Sequence, residues 1–279
     1  MIKCNLSCGD DPIEQIKECL EIIEEMNKTY KKGEEIFLDL SEIPWIIPCS
    51  ALLLSSKIRE LLNKNIKINY SEPINEKVKK YLRDIGFPLG TKVEGDTFSP
   101  IKHFGNEVDI DTEVNNLLEN MKNKVPNTFG DSIYYILGEL ADNISQHSKF
   151  SNATIMAQYY PQKGYIDIGV FDNGLTIPKV FEKNNIKFSK DSEAILLALS
   201  GTTTKKEDPS RGHGLSSSKE LVQKALDGEM HIISRKGCLI ISPDSKDISH
   251  NFTKNKLLGT LLYIRLKTPR KHLNIIQYL

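Results

Sequence analysis

Apolar residues recur every three or four positions over residues 12–29, at Ile13, Ile16, Leu20, Ile23 and Met26. That spacing predicts an amphipathic helix, stopped by Lys31-Lys32-Gly33. Ile36–Leu40 reads as a buried strand, and Pro44 and Pro48 punctuate the loop beyond it. A second helix is expected over Ala51–Leu62, an alternating strand over Ile66–Tyr70, and a third helix over 73–85, ending at Gly86. Alternating strands and helices predict a small α/β unit over 1–90. Residues 88–107 are rich in Gly, Pro, Thr and Lys without helical period, so 91–107 is expected to be a linker.

The second half has its own pattern. Helices are expected at Val108–Met121 and Ile133–His147, and a strand pair at Ala153–Tyr160 and Tyr165–Phe171, joined by Pro161-Gln162-Lys163-Gly164. A short helix at Ser192–Leu199, a polar loop at Gly201–Arg211 and a helix at Leu215–Leu226 follow. Strands at 229–234, 237–242 and 258–267 complete an antiparallel or mixed sheet, giving a second domain over 108–270 and a tail over 271–279. The fold class expected is α+β.

Composition narrows the function classes. Lys+Arg and Asp+Glu balance at 37 each, so global charge points neither to nucleic acid nor to an acidic membrane. The longest apolar runs are far too short to span a bilayer, and the start lacks the apolar core of a signal peptide. The five cysteines, at 4, 8, 19, 49 and 238, form no C-x-x-C, which suits reduced thiols in a cytoplasmic protein. Cys4 and Cys8 lack a second pair at a spacing that would build a metal site.

Three short motifs carry the chemistry: Glu139-Leu140-Ala141-Asp142-Asn143 with His147, then Asp172-Asn173-Gly174, then Arg211-Gly212-His213-Gly214-Leu215. Glu139 and Asn143 are four apart and share a helix face, with His147 one turn further. An acid and an Asn at that spacing also describe a solvated face. Asp172 ends a strand, where a carboxylate can accept from an exocyclic amine. Asp-Asn-Gly is equally a common turn. Glycines 212 and 214 before a helix allow backbone N–H groups to meet phosphate oxygens.

In this order, within about 75 residues, the motifs resemble the ATP-binding boxes of the GHKL superfamily, which includes gyrase, heat-shock chaperone ATPases and histidine kinases. The resemblance implies a Bergerat-type sandwich, with helices on one face of a mixed sheet, and ATP and Mg²⁺ as cofactors. It implies Asn143 as the metal ligand and Glu139 as the catalytic base that orients or deprotonates water. It implies Asp172 as the adenine acceptor and Gly174 as the close-approach position, with Thr176 where the family has a second glycine. Gly212, His213, Gly214 and Leu215 fall at the phosphates, His213 through its backbone. Gly201–Asp208 resembles the lid, with Lys205 or Lys206 near phosphate, and Gly259-Thr260 resembles the last box, with Thr260 in the adenine network.

Phe37-Leu-Asp-Leu-Ser41 and Ile46-Ile-Pro-Cys-Ser50-Ala51 resemble the STAS-like domains of anti-sigma-factor systems, in which a Ser or Thr at a helix start is phosphorylated. Ser50 falls near that place, and it also suits a plain helix N-cap. Together the resemblances imply an ATP-binding signalling or regulatory protein. It would be a slow Mg-dependent ATPase or a Ser/Thr protein kinase of the anti-sigma-factor type, controlled through its lid and its STAS-like domain. The alternative is a non-hydrolysing nucleotide-binding subunit of a larger regulatory or defence assembly. A protein partner or homodimer is expected; a membrane or nucleic-acid partner is not.

Overall fold

A computed structural model describes residues 1–7, 9, 11–105, 110–129, 131–147, 149–200, 214–243 and 246–278. The side chains of 110–111, 140, 142–147 and 214–216 lie outside that description. The chain opens with β1 (Ile2–Lys3) and α1 (Pro12–Lys31). Asp11 starts this helix by accepting from the N–H groups of Ile13 and Glu14, and Ile16, Cys19, Leu20 and Met26 form its buried stripe. Then come β2 (Ile36–Asp39), α2 (Pro48–Leu62), β3 (Ile68–Ser71) and α3 (Glu76–Asp84), the last capped by Asn75. The three strands are parallel, in the order β1-β2-β3.

The second half builds β4 (Phe98–Phe104), α4 (Ile110–Lys122), α5 (Ser132–His147), β5 (Ala153–Tyr160) and β6 (Tyr165–Asp172). Next are α6 (Ile177–Lys183), α7 (Asp191–Leu199) and α8 (Gly214–Glu220), which continues as a π turn over Leu221–Ala225. The last strands are β7 (Glu229–Arg235), β8 (Gly237–Ile241), β9 (Ile248–Asn251) and β10 (Leu257–Lys267). They form a seven-stranded sheet in the order β4-β5-β6-β10-β7-β8-β9.

Every neighbouring pair in this sheet is antiparallel, so the expectation of a mixed sheet is corrected. The stretch expected as a linker also contains β4, which pairs with β5 from Phe98↔Gln158 to Phe104↔Ala153. Strand β9, helix α6 and the two-residue β1 carry too short a pattern to be read from the sequence.

Helices α4, α5 and α7 of the second half pack on one face of this sheet, as expected of the sandwich, and helices of the N-terminal unit cover the other. One face of the sheet carries Ile155, Ile166, Ile168, Val170, Ile232, Leu262 and Ile264, packed under Leu117, Ile133, Ile136, Leu137 and Ala141 of α4 and α5. The other carries Met156, Phe171, Ile233, Leu261 and Tyr263, and α1 and α2 cover it with Cys19, Cys49, Leu52 and Leu53. Burial on both faces explains why these strands read as nearly continuous apolar runs rather than a clean alternation.

Helix α2 is enclosed between the small sheet and the large one, and Leu52, Leu53, Leu54, Ile58 and Leu61 are at most 1% exposed. Each such side chain contributes about 1.5–3 kcal/mol through burial. Gly169 of β6 makes the close approach possible, because a Cβ there would stand 3.2 Å from Leu52 Cδ1 and 3.7 Å from Cys49 Cα. The cap of α2 is Ile47, without a side-chain hydrogen bond, so the N-cap role expected for Ser50 is corrected. Ser50 lies within the first turn, 0% exposed, with its hydroxyl unpartnered.

Two polar stitches cross the α2 interface. His103 of β4 lies between Ser55 of α2 (Nε2 to Oγ, 2.9 Å) and Thr154 of β5 (Nδ1 to Oγ1, 2.9 Å). Asn152 donates its side-chain N–H to Ser56 Oγ at 3.3 Å. Deeper on the same face, buried Asp167 accepts two bonds from Arg265, at 2.7 and 2.9 Å, with the guanidinium 4.2 Å from the Tyr165 ring centroid. Burial pushes the Asp167 carboxyl up and Arg265 opposes it.

Candidate functional site

The strand register places three polar residues side by side at one end of the large sheet. Asp172 of β6 pairs with Thr260 of β10, and Thr260 pairs with Ser234 of β7. On the same face, the two preceding rows are apolar: Val170, Leu262 and Ile232, then Ile168, Ile264 and Met230. Period-two geometry therefore turns this polar row toward the layer of α5 and α8.

Asp172 is 1% exposed. Its Oδ1 accepts the Gly174 N–H at 2.8 Å, which folds the chain back beyond the strand. Gly259 runs against it with φ +122°, and a Cβ there would lie 1.9 Å from the Asp172 carbonyl oxygen. A β-irregularity between Leu257 and Thr260 accommodates this approach.

Asn173 fixes the turn from outside. Its Oδ1 accepts from the N–H groups of Ser151 (3.0 Å) and Asn152 (2.8 Å), and its own N–H donates to the Asn152 carbonyl at 3.0 Å. Thr176 is the N-cap of α6, its Oγ1 accepting from Lys179 N–H at 3.2 Å. A threonine at this place thus starts a helix through a side-chain hydroxyl that glycine lacks.

Ser234 is 0% exposed and touches three groups. Its Oγ accepts from Ile177 N–H at 2.9 Å, and lies 3.2 Å from the Gly259 carbonyl and 2.9 Å from Thr260 Oγ1. Sequence reasoning missed this residue. The available signal was a polar side chain in phase with the inward positions of Met230 and Ile232.

Glu139 is half-buried on α5, whose Ile136, Leu137 and Ala141 anchor the helix to the sheet. Asn143 and His147 follow on the same helix, and their side chains lie outside the described residues. Gly214 and Leu215 begin α8, and their side-chain positions likewise fall outside. Arg211, Gly212, His213 and the expected lid over Gly201–Arg211, with Lys205 and Lys206, lie outside the described residues altogether. The structure thus brings Asp172, Gly174 and Thr260 together at one sheet end and adds Ser234.

The described cysteines 4, 19, 49 and 238 are buried free thiols. Burial pushes Cys4, Cys19 and Cys238 up to about 12, so they are poor nucleophiles. Among the described residues there is no cluster of His, Cys, Asp and Glu that would hold a metal, and no helix is long and apolar enough to cross a membrane.

Residues 130–267 match the family described as Histidine kinase-, DNA gyrase B-, and HSP90-like ATPase. The match runs from just before α5 to the end of β10 and contains all three motifs and the polar row, so this stretch is similar to that ATPase family, which supports the GHKL resemblance. A search of curated proteins finds no match to the chain.

Proposed function

We propose that the protein binds ATP with Mg²⁺ at the Asp172 end of the large sheet and works as a nucleotide-controlled regulatory protein with slow turnover. The observation that carries this reading is the buried carboxylate of Asp172 beside Thr260, at a sheet end lined otherwise by apolar rows, inside the stretch that matches the ATPase family. An ionised carboxylate is an acceptor only, with room for several donors, and the exocyclic amine of adenine is a donor it can take. The base would rest on the apolar rows, with Gly174 leaving room along the backbone.

Asn143 would hold Mg²⁺ through its amide oxygen, a hard donor suited to that ion. When bound, the ion would offset charge on the triphosphate. Glu139, one turn earlier on α5, would orient the attacking water and accept its proton. The glycines before α8 would direct backbone N–H groups at the phosphates.

Phosphotransfer in cis to Ser50 is disfavoured by its complete burial in the first turn of α2, since a phosphate donor would reach it only after α2 left its packed position. A STAS-like role for the N-terminal unit would therefore act through its packing against the sheet rather than through Ser50. Calorimetric titration with a nonhydrolysable ATP analogue, with and without Mg²⁺, tests the reading on wild type and Asp172→Asn. Metal-dependent binding that Asp172→Asn weakens at least tenfold is expected. Absence of wild-type binding would refute it. Glu139→Gln is expected to keep binding and abolish phosphate release; a wild type that binds but never turns over would favour the non-hydrolysing subunit.

A further inference from the structure

Hydrogen-bond bookkeeping at Ser234 goes one step beyond nucleotide binding, and rests on it. A serine hydroxyl has one proton and two acceptor lone pairs. Ile177 offers only an N–H, and the Gly259 carbonyl only accepts. All three contacts of Ser234 are satisfied together in a single arrangement. Ile177 N–H donates to Oγ, Ser234 O–H donates to the Gly259 oxygen, and Thr260 O–H donates to Oγ. Thr260 then has its proton committed behind it and shows only lone pairs to the space beside Asp172.

We infer that Ser234 is a positioning residue that makes Thr260 a fixed acceptor, so that the polar row discriminates 6-amino from 6-oxo purines. Asp172 and Thr260 are cross-strand neighbours, and both then present acceptors. An adenine amine supplies donors to such a pair. The carbonyl of hypoxanthine or guanine places a third acceptor against them and leaves buried groups unpaired, which is the arrangement that rejects an analogue most strongly. Burial of Ser234 at 0% exposure keeps water from taking over the role.

The test compares the Mg²⁺-dependent affinity for the imido analogues of ATP and of inosine triphosphate in wild type, Ser234→Ala, Thr260→Val and the double variant. In Ser234→Ala the Thr260 hydroxyl is free to rotate and donate to a 6-oxo group. The ATP-over-inosine preference is expected to fall about tenfold, through weaker ATP binding and stronger inosine binding. Thr260→Val should lower the preference as well, and adding Ser234→Ala to it should change it no further. A Ser234→Ala variant that weakens both nucleotides equally, with its preference intact, would show a merely structural role and overturn the inference. Should Ser234→Ala fail to fold, an unchanged preference in Thr260→Val alone would overturn it. A wild type that binds neither analogue would refute the nucleotide reading itself, and this inference with it; normal wild-type binding with unmoved preferences refutes only the inference.

Discussion

His103 gives the most direct test of how the two halves are joined. Its ring is half-buried between Ser55 on α2 and Thr154 on β5. Ser55 donates its own proton to the Pro88 carbonyl, so the imidazole must donate from Nε2 to Ser55 and accept at Nδ1 from Thr154. A neutral ring satisfies this network as it stands; a charged one would require Thr154 to turn its proton away and accept instead. Burial, with the nearby positive charge of Arg59, lowers its pKa from 6.5 to about 4. The unfolded chain therefore binds a proton below pH 6.5 that the folded chain refuses until about pH 4. Stability linked to His103 is fully present above pH 6.5 and is lost as pH falls toward 4. At about 1.4 kcal/mol per tenfold change in proton affinity, the full window corresponds to roughly 3 kcal/mol. Urea unfolding of wild type and His103→Gln at pH 7.5 and 4.5 isolates the term. Wild type should lose about 2–3 kcal/mol more than the variant between the two conditions. Parallel losses in the two proteins would refute the neutral, buried assignment.

Two further substitutions probe the sheet. Gly259→Ala forces a Cβ against the Asp172 carbonyl at a φ that side chains rarely adopt; a stability loss of about 1–3 kcal/mol and at least tenfold weaker ATP-analogue binding are expected, and a variant that melts and binds like wild type would contradict the packing. Arg265→Met strands the fully buried Asp167; urea denaturation should show a loss of about 3–5 kcal/mol, much of it recovered by adding Asp167→Asn, and a loss below about 1 kcal/mol would mean that Asp167 finds another partner.

Much of the secondary structure was legible because its causes are local. The helix over 12–29 follows from its period of 3.6, and the strands around 153–160, 165–172 and 229–235 from short apolar runs bounded by turns such as Pro161–Gly164. The motif set was legible for a similar reason: Glu139 and Asn143 are one helical turn apart, and Asp172 is the last residue of its strand. The stretch 91–107 was misread because β4 gains its apolar partners only across the sheet, from residues some fifty positions away. Ser50 was misread because a helix-start serine looks the same whether water or another sheet covers it.

By itself the sequence determined the periodic elements, the order of the nucleotide motifs and the neutral charge balance, since each is a property of neighbouring residues. Only the tertiary structure decided that α2 closes the second face of the sheet over Gly169, and that His103 is a buried neutral stitch. It alone placed Thr260 between Ser234 and Asp172, twenty-six and eighty-eight positions away in the chain. Strand register sets those contacts, and register depends on the summed packing of both sheet faces, which no local window of the chain contains.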